Sequence, residues 1–318
     1  MDLFIKFLVA AVGAGTPLLF GTVGEILNEK VGHLNLGVEG MMAIGACAGF
    51  MAGYLSDNFA LALLAAFAAG VLAAGVYAVL TVTFLANQNV AGLTMTIFGV
   101  GLSNFIGVYM VGKSETSTLK LPENVTAQMR SVHLPVLSDL PVVGELLFSY
   151  NPFVYIGILV AAVCGYYLYR TKTGLNVQAI GENPAAADAA SIPVNRWKYI
   201  NILLGGGICG IGGAYCSMII NSGVWISNSV NGLGWIAVAL VIFAAWKPHV
   251  AILGSFVFGA LRVLKYYKVG LMAGWPDAFF DMLPFLITAL VLVFTSIRGS
   301  KGAHIPASLG VNYFREER

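Results

Sequence analysis

The stretch RTKTGLNVQAIGENPAAADAASIPVNRWK, residues 170–198, is a polar interruption between two long apolar runs. Asn183 can cap a helix through its side-chain oxygen, and Pro184 suits the first helical position. The alanine-rich residues 185–190 favour helix, so the stretch predicts one short, exposed helix. Four basic residues flank this helix and place the loop in the cytoplasm by the positive-inside rule: Arg170, Lys172, Arg196 and Lys198. We interpret the helix as a docking element for a cytosolic partner.

The apolar runs on either side decide the class of fold. Of the 318 residues, 58% are hydrophobic and only 10% are charged, which is outside the range of water-soluble globular proteins. Segments of roughly 20 apolar residues match a hydrocarbon core about 30 Å thick. The sequence therefore predicts an all-α, polytopic membrane protein with about nine (8–10) transmembrane helices, some broken or re-entrant. The candidate spans are 3–22, 34–55, 59–85, 90–112, 152–169, 199–220, 234–247, 249–267 and 281–297.

The polar connections define the expected organisation of the chain. We expect a single transmembrane domain over residues 1–318. The loop 170–198 and the tail 298–318 are predicted to be cytoplasmic, and the loop 113–150 external. The external loop suits either an outside partner or a plain solvated connection. Counting the spans back from the cytoplasmic loop puts the N-terminus outside, unless an early segment is re-entrant.

Composition and motifs argue against several classes of function. A net charge of +2 gives no electrostatic case for nucleic acid. The four cysteines lie inside predicted spans, where they suit packing. No nucleophile signature or metal-ligand spacing accompanies the four scattered histidines, so we predict no catalytic residues, metal or cofactor. Residues 107–114, GVYMVGKS, match a phosphate-loop pattern, but an apolar helix ends there and no strand precedes it. We therefore expect no ATPase site in this chain.

Two Gly- and Asn-rich segments break the pattern of spans. These are residues 21–40, GTVGEILNEKVGHLNLGVEG, and residues 221–235, NSGVWISNSVNGLGW. Irregular backbone at membrane depth is tolerated only where protein or a water-filled cavity satisfies its amides. Two such segments favour a pathway between halves of the molecule. The alternative is that both are ordinary surface turns.

Several polar side chains in and near these breaks are candidates for a translocation pathway. Glu39 is a carboxylate within an apolar helix, which is by default a functional candidate, although it could also clamp a helix start. Thr96, Ser103 and Asn104 share roughly one helix face, suited to a polar path or to bonding a neighbouring helix. Trp235 suits interfacial anchoring or stacking on a ring. The full candidate set is Asn35, Glu39, Thr96, Ser103, Asn104, Asn231 and Trp235.

The chain resembles a known family, the permease subunits of ATP-driven (ABC) importers of the branched-chain amino acid and simple-sugar class, most closely the nucleoside-type members. The likeness spans nearly the whole chain. It is carried by EILNEKVGHLNLGVEGMMA (25–43), AIGENP (179–184), GWIAVALVIFAAWKPHVAILGSFVFG (234–259) and PASLG (306–310). The chain departs from the pattern at Ala245 and Trp246, where many relatives carry Gly-Arg, so a cation role there is not supported.

The resemblance implies partners and a role for the alanine-rich helix. It implies a homologous second permease subunit, cytoplasmic ATP-binding subunits, an external substrate-binding lipoprotein and a small-molecule substrate. It also implies a multi-pass protein of a bacterial-type plasma (inner) membrane. By the same likeness, the helix is the coupling element that sits in a cleft of the ATPase. The residues expected to couple to the ATPase are Gly181, Glu182, Asn183, Pro184, Ala185, Ala186 and Ala187.

We therefore expect a permease subunit that moves a nucleoside or similar polar small molecule inward by alternating access. One alternative is the same class of importer acting on simple sugars or branched-chain amino acids. A second is a secondary transporter or channel without an ATPase. That alternative requires paired ionisable residues in mid-membrane, and the sequence offers few.

Overall fold

The computed structural model describes residues 2–114, 116–131, 143–267, 274–297 and 305–314, and the described chain contains helices and no β-strand. The helices with their bounds are α1 Asp2–Lys30, α2 Val38–Ser56, α3 Phe59–Ala78, α4 Gln88–Lys113, α5 Glu123–Gln128, α6 Val143–Phe148, α7 Pro152–Arg170, α8 Lys172–Glu182, α9 Pro184–Ala189, α10 Val194–Tyr215, α11 Leu233–Phe243, α12 Pro248–Val263 and α13 Asp277–Ile297. Two of them continue as π-helical turns, α3 over Val79–Thr83 and α10 over Cys216–Ile220. The predicted all-α membrane fold is confirmed.

Seven helices in the described part of the chain are long and apolar enough to cross a membrane. They are α1, α2, α3, α4, α7, α10 and α12, with α3, α10 and α12 extended by their terminal turns. The predicted span 234–247 corresponds to α11, which has only 11 residues and is too short to cross a bilayer alone. The predicted span 281–297 falls within α13, which has 21 residues. The expected count of about nine was therefore approximate.

A glycine-lined helix, α10, forms the centre of the bundle. Gly205 faces Gly24 of α1, and a Cβ atom placed on it would lie 2.5 Å from the Gly24 carbonyl oxygen. Gly206 and Gly210 face α3, where a Cβ atom would clash with Ala74 and with the Ala66 carbonyl. Small residues allow such close approach in lipid, where helix association depends on packing.

The first predicted break, residues 21–40, is wrong over its first half. Helix α1 continues without interruption to Lys30, and only residues 31–37 leave the helix before α2 begins at Val38. The polar side chains of this half are buried among neighbouring helices, and some of them are hydrogen-bonded there; the Asn28 side-chain amide, for example, donates to the Glu25 carboxylate at 2.7 Å. A buried polar network lowers local hydrophobicity without breaking the backbone. The second predicted break is confirmed over residues 221–232, and α11 then begins at Leu233.

The predicted single helix in residues 170–198 is in fact two helices, α8 and α9. The Thr171 hydroxyl caps α8 by accepting from the Gly174 amide at 3.0 Å, and Val177 and Ile180 anchor α8 in the core. Asn183 ends α8 and caps α9, where its side-chain oxygen accepts from the Ala186 amide at 2.9 Å. Pro184 occupies the first turn of α9, as predicted. The apolar positions of α8 were missed because its overall composition is polar.

The opposite end of the bundle is covered by part of the loop 113–150. The Trp225 amide donates to the Leu119 carbonyl at 2.9 Å, and the Leu121 amide donates to the Gly223 carbonyl at 2.8 Å. Leu119 and Leu121 are buried. The described part of this loop is therefore hydrogen-bonded to residues 221–232. Residues 132–142 of the predicted external loop lie outside the described residues.

Candidate functional site

The carboxylate of Glu39 joins two helix starts inside the bundle. Glu39 stands in the first turn of α2, and its two oxygens accept the backbone amides of Gly232 at 2.8 Å and Gly234 at 2.7 Å. These amides belong to the start of α11, whose unsatisfied N–H groups favour an anion. Gly232 adopts a φ of 83°, which suits glycine. Glu39 thus anchors the half-length helix α11 to α2.

A polar cavity of about 200 Å³ opens beside this junction. Helix α4 reaches it because glycine permits a close crossing with α2, and a Cβ atom on Gly99 would clash with the Gly40 backbone. The residues 221–232 close its other side. The lining residues are Glu39, Ala43, Ala46, Val100, Ser103, Asn104, Asn228, Ser229, Val230, Asn231 and Gly232.

Two asparagines bridge the walls of this cavity. The Asn104 side-chain amide donates to the Asn228 side-chain oxygen at 2.7 Å, and the Asn228 backbone amide donates back to Asn104 at 2.9 Å. Asn228 and Asn231 both adopt positive φ, at 57° and 49°, which asparagine tolerates better than most residues. Asn104 lies about 24 Å along α4, a helix about 39 Å long, so the bridge is well inside the membrane-spanning region.

The structure brings together four of the seven predicted pathway residues. Glu39, Ser103, Asn104 and Asn231 line the cavity. Asn35, Thr96 and Trp235 are not among its lining residues.

Asn35 and Thr96 hold the backbone of residues 31–37. Asn35 is fully buried, its backbone amide donates to Glu25 at 2.9 Å, and its side-chain oxygen accepts the Gly37 amide at 2.9 Å. The Thr96 hydroxyl donates to the Leu36 carbonyl at 2.8 Å. Trp235 lies on the exposed side of α11, two residues beyond its start.

The coupling residues predicted in α8 and α9 border the same loop. Gly181 packs so closely on the end of α1 that a Cβ atom there would clash with the Lys30 carbonyl. His33, three residues after Lys30, is buried in this loop. Burial and the nearby Lys198 cation lower the pKa of His33 well below its usual value, so the imidazole ring is neutral. Glu182, Asn183, Ala185 and Ala186 are exposed, whereas Ala187 is buried. The exposed face of α9 is thus linked through Gly181 to the loop that precedes Glu39.

Comparison with known protein families identifies the class. A family model described as branched-chain amino acid transport system / permease component matches residues 7–292. The chain belongs to this permease family. It is 34% identical over 99% of both chains to a provisionally named glucose ABC transporter permease protein of Haloferax volcanii. It is 30% identical to a nucleoside ABC transporter permease protein of Lactococcus lactis and 31% identical to a guanosine ABC transporter permease protein of Bacillus subtilis, in each case over 95% of this chain and 94% of the relative.

The membership, together with the seven membrane-length apolar helices of the described residues, makes this permease a multi-pass plasma-membrane protein. The phosphate-loop letters of residues 107–114 lie in the last turns of α4 and its cap, without a strand before them. That arrangement differs from the strand, loop and helix that bind phosphate.

Sequence reasoning missed three polar contributors to the permease cavity, Asn228, Ser229 and Gly232. The signal was present in the Asn- and Gly-rich composition of residues 221–235, but composition did not show which side chains face α4. It also missed Trp246, whose indole N–H donates to the buried Glu29 carboxylate. Ala245 and Trp246 adopt positive φ, at 49° and 56°, a left-handed backbone that favours glycine.

Proposed function

We propose that the permease imports a neutral, polar small molecule, a nucleoside or a sugar, through the cavity bounded by α2, α4 and residues 221–232. The observation that carries this proposal is the Asn104–Asn228 bridge at membrane depth, beside Ser103 and Asn231. Polar groups at such depth are unfavourable against lipid and mark solute paths. Amide and hydroxyl groups can donate to and accept from the hydroxyls of a sugar or ribose.

The charge of the cavity favours a neutral substrate over an amino acid. Among the described lining residues the one ionisable group is Glu39, and no cation is present to pair with a substrate carboxylate. Two backbone N–H groups at the start of α11, those of Gly232 and Gly234, are already occupied by Glu39. Relatives named for guanosine, nucleoside and glucose transport agree with this choice.

A second permease subunit would complete the pathway. Asn228 and Asn231 are exposed in the single chain, although they lie at the level of the membrane. A homologous subunit packed against this face would enclose them in a water-filled path and remove them from lipid. An external substrate-binding lipoprotein would deliver the solute to the end covered by residues 116–131.

Cytoplasmic ATP-binding subunits would supply the free energy for import by binding α9. A partner shifts a conformational equilibrium only if it binds the two states unequally. The contact of Gly181 with the end of α1, followed by residues 31–37 and Glu39, is a continuous route from α9 to the cavity.

Uptake into proteoliposomes tests the function. The permease is reconstituted with its co-purifying subunits, and uptake of radiolabelled uridine is measured with ATP, with ATP and vanadate, and against unlabelled uridine, glucose or leucine. We expect uptake that vanadate inhibits. Unlabelled uridine or glucose should reduce this uptake, and leucine should not. Uptake driven by an ion gradient without nucleotide would instead support a secondary transporter, and competition by leucine alone would contradict the neutral-substrate proposal.

A further inference from the structure

The tail segment, residues 305–314, lies against the end of the molecule that carries α8 and α9. Its first attachment is to the end of α8. The Ser308 backbone amide donates to the Gly181 carbonyl at 2.9 Å, and the Ser308 hydroxyl donates to the same carbonyl at 2.6 Å. The tail segment therefore binds Gly181, the residue of α8 that packs against the end of α1.

The tail segment also binds the loop between α1 and α2. Gly32 adopts a φ of 86°, and a Cβ atom placed on it would lie 2.7 Å from the Ser308 hydroxyl oxygen. The Gly310 amide donates to the Gly32 carbonyl at 3.3 Å. Ser308 thus lies between Gly181 and Gly32 and contacts both.

A third attachment reaches the turn between α3 and α4. The Asn312 amide donates to the Leu85 carbonyl at 2.6 Å and to the Ala86 carbonyl at 3.2 Å, while its oxygen accepts from Gln88 at 3.0 Å. Gln88 in turn accepts the Leu34 backbone amide at 2.9 Å. The Asn312 side chain therefore joins the tail segment to the α3–α4 turn, and Gln88, the first residue of α4, joins that turn to the loop that precedes α2.

The fourth attachment is to α9 itself. The Tyr313 hydroxyl donates to the Asp188 carboxylate at 2.8 Å. Asp188 follows directly on Ala187 in the helix expected to contact the ATP-binding subunit.

We propose that Ser308, Asn312 and Tyr313 are positioning residues that transmit displacement of α8 and α9 to α2 and α4, the helices that carry Glu39, Ser103 and Asn104. The inference rests on the proposed function, because it assigns a part of the ATP-driven cycle to the tail segment. Its physical basis is that four hydrogen-bonded attachments join α9, α8, the α1–α2 loop and the α3–α4 turn through ten consecutive residues. Chains of hydrogen bonds and packed side chains of this kind can carry coupling between distant sites.

The test is the number of substrate molecules imported per ATP hydrolysed by the full complex in proteoliposomes. Variants N312A, S308A and Y313F are compared with V311S, a matched control because the Val311 side chain is 58% exposed. We expect V311S to keep the wild-type ratio. N312A should lower the ratio by roughly fivefold or more, with smaller losses for S308A and Y313F, while ATP hydrolysis and co-purification of the ATP-binding subunit persist.

A ratio for N312A equal to that of V311S would overturn the proposal. The proposal would also be overturned if the number of substrate molecules imported per ATP fell only in variants that no longer co-purify with the ATP-binding subunit. That result would show that the tail segment only maintains docking of that subunit. If N312A is not recovered from the membrane, Y313F decides, because it removes one hydroxyl and keeps the ring. Failure of the proposed function is distinguishable, since the wild type itself would then show no nucleotide-dependent uptake.

Discussion

At the scale of the residue, Glu39 joins the first turn of α2 to the start of α11 beside the cavity. A carboxylate that accepts two backbone amides forms charge-assisted bonds that a neutral amide cannot reproduce, because the side-chain NH₂ group would face an N–H donor. For E39Q we expect a loss of about 1.5–3 kcal/mol at the start of α11. A loss of that size is roughly tenfold or more in the equilibrium that holds α11 beside the cavity, and we expect uptake to fall with it.

Uptake and thermal stability of E39Q are to be measured beside E123Q. Glu123 is an exposed carboxylate at the start of α5, so its amide variant controls for the loss of one negative charge. Wild-type uptake and melting temperature in E39Q would contradict the role given to the junction. A lower melting temperature with unchanged uptake would assign Glu39 to structure alone.

Sequence reasoning at this scale succeeded where chemistry was local. The cap at Asn183 and the first-turn Pro184 could be predicted because both depend on neighbours within three residues. The Asn104–Asn228 bridge could not, since 124 positions separate its partners. The position of Asn35 was equally hidden, because its partner Glu25 was expected in irregular backbone and lies in a helix.

At the scale of the element, close packing of α10 on α3 depends on glycine. A side chain at Gly210 would clash with the Ala66 carbonyl, so G210A should force the helices apart and destabilise the permease by about 1–3 kcal/mol. Gly101 on α4 provides the matched control, because a Cβ atom there would meet nothing within 4 Å. G101A should be neutral or stabilising by up to about 1 kcal/mol. Thermal unfolding in detergent measures both, and equal melting temperatures would contradict the packing argument.

Helix α9 is short enough that its cap should matter to function. We expect N183A to cost about 1 kcal/mol of local helix stability, whereas N183D keeps an accepting oxygen for the Ala186 amide. Import per ATP hydrolysed should fall in N183A and be retained in N183D. Replacing residues 183–187 with glycine should abolish coupling while the protein still inserts. Full transport by that glycine variant would show that α9 is not the coupling element.

The elements themselves were largely predictable from apolar periodicity and length, and their ends less so. The helices α3, α4 and α7 closely match the predicted spans 59–85, 90–112 and 152–169. The polar end of α1 and the whole of α8 were missed because both bury polar or mixed sequences against neighbouring helices. Tertiary contacts, which local sequence does not contain, stabilise these two helices.

At the scale of the whole molecule, the helix bundle has two ends that are built from different polar segments. One end combines α8, α9, the tail segment and the loop 31–37, and the other carries residues 116–131 over the break at 221–232. The half-length helix α11 lies between them, fixed by Glu39. The tail segment was expected only as a cytoplasmic extension, because its attachments are to residues more than 120 positions away.

The orientation of these ends gives the last prediction. Glu123 and Ala185 are both exposed. Because α7 is the one helix in the described chain between them that is long enough to cross a membrane, we expect the two residues to face opposite sides. The basic residues around α8 and α9 predict that Ala185 lies in the cytoplasm. The four native cysteines are buried, so a new cysteine should dominate labelling by a membrane-impermeant maleimide. We expect E123C to react in intact spheroplasts, and A185C to react only after the membrane is opened, with the parent protein setting the background. Reaction of A185C in intact spheroplasts would put α9 outside the cell, where no ATP-binding subunit could reach it, and would contradict the ATP-driven mechanism at its starting point.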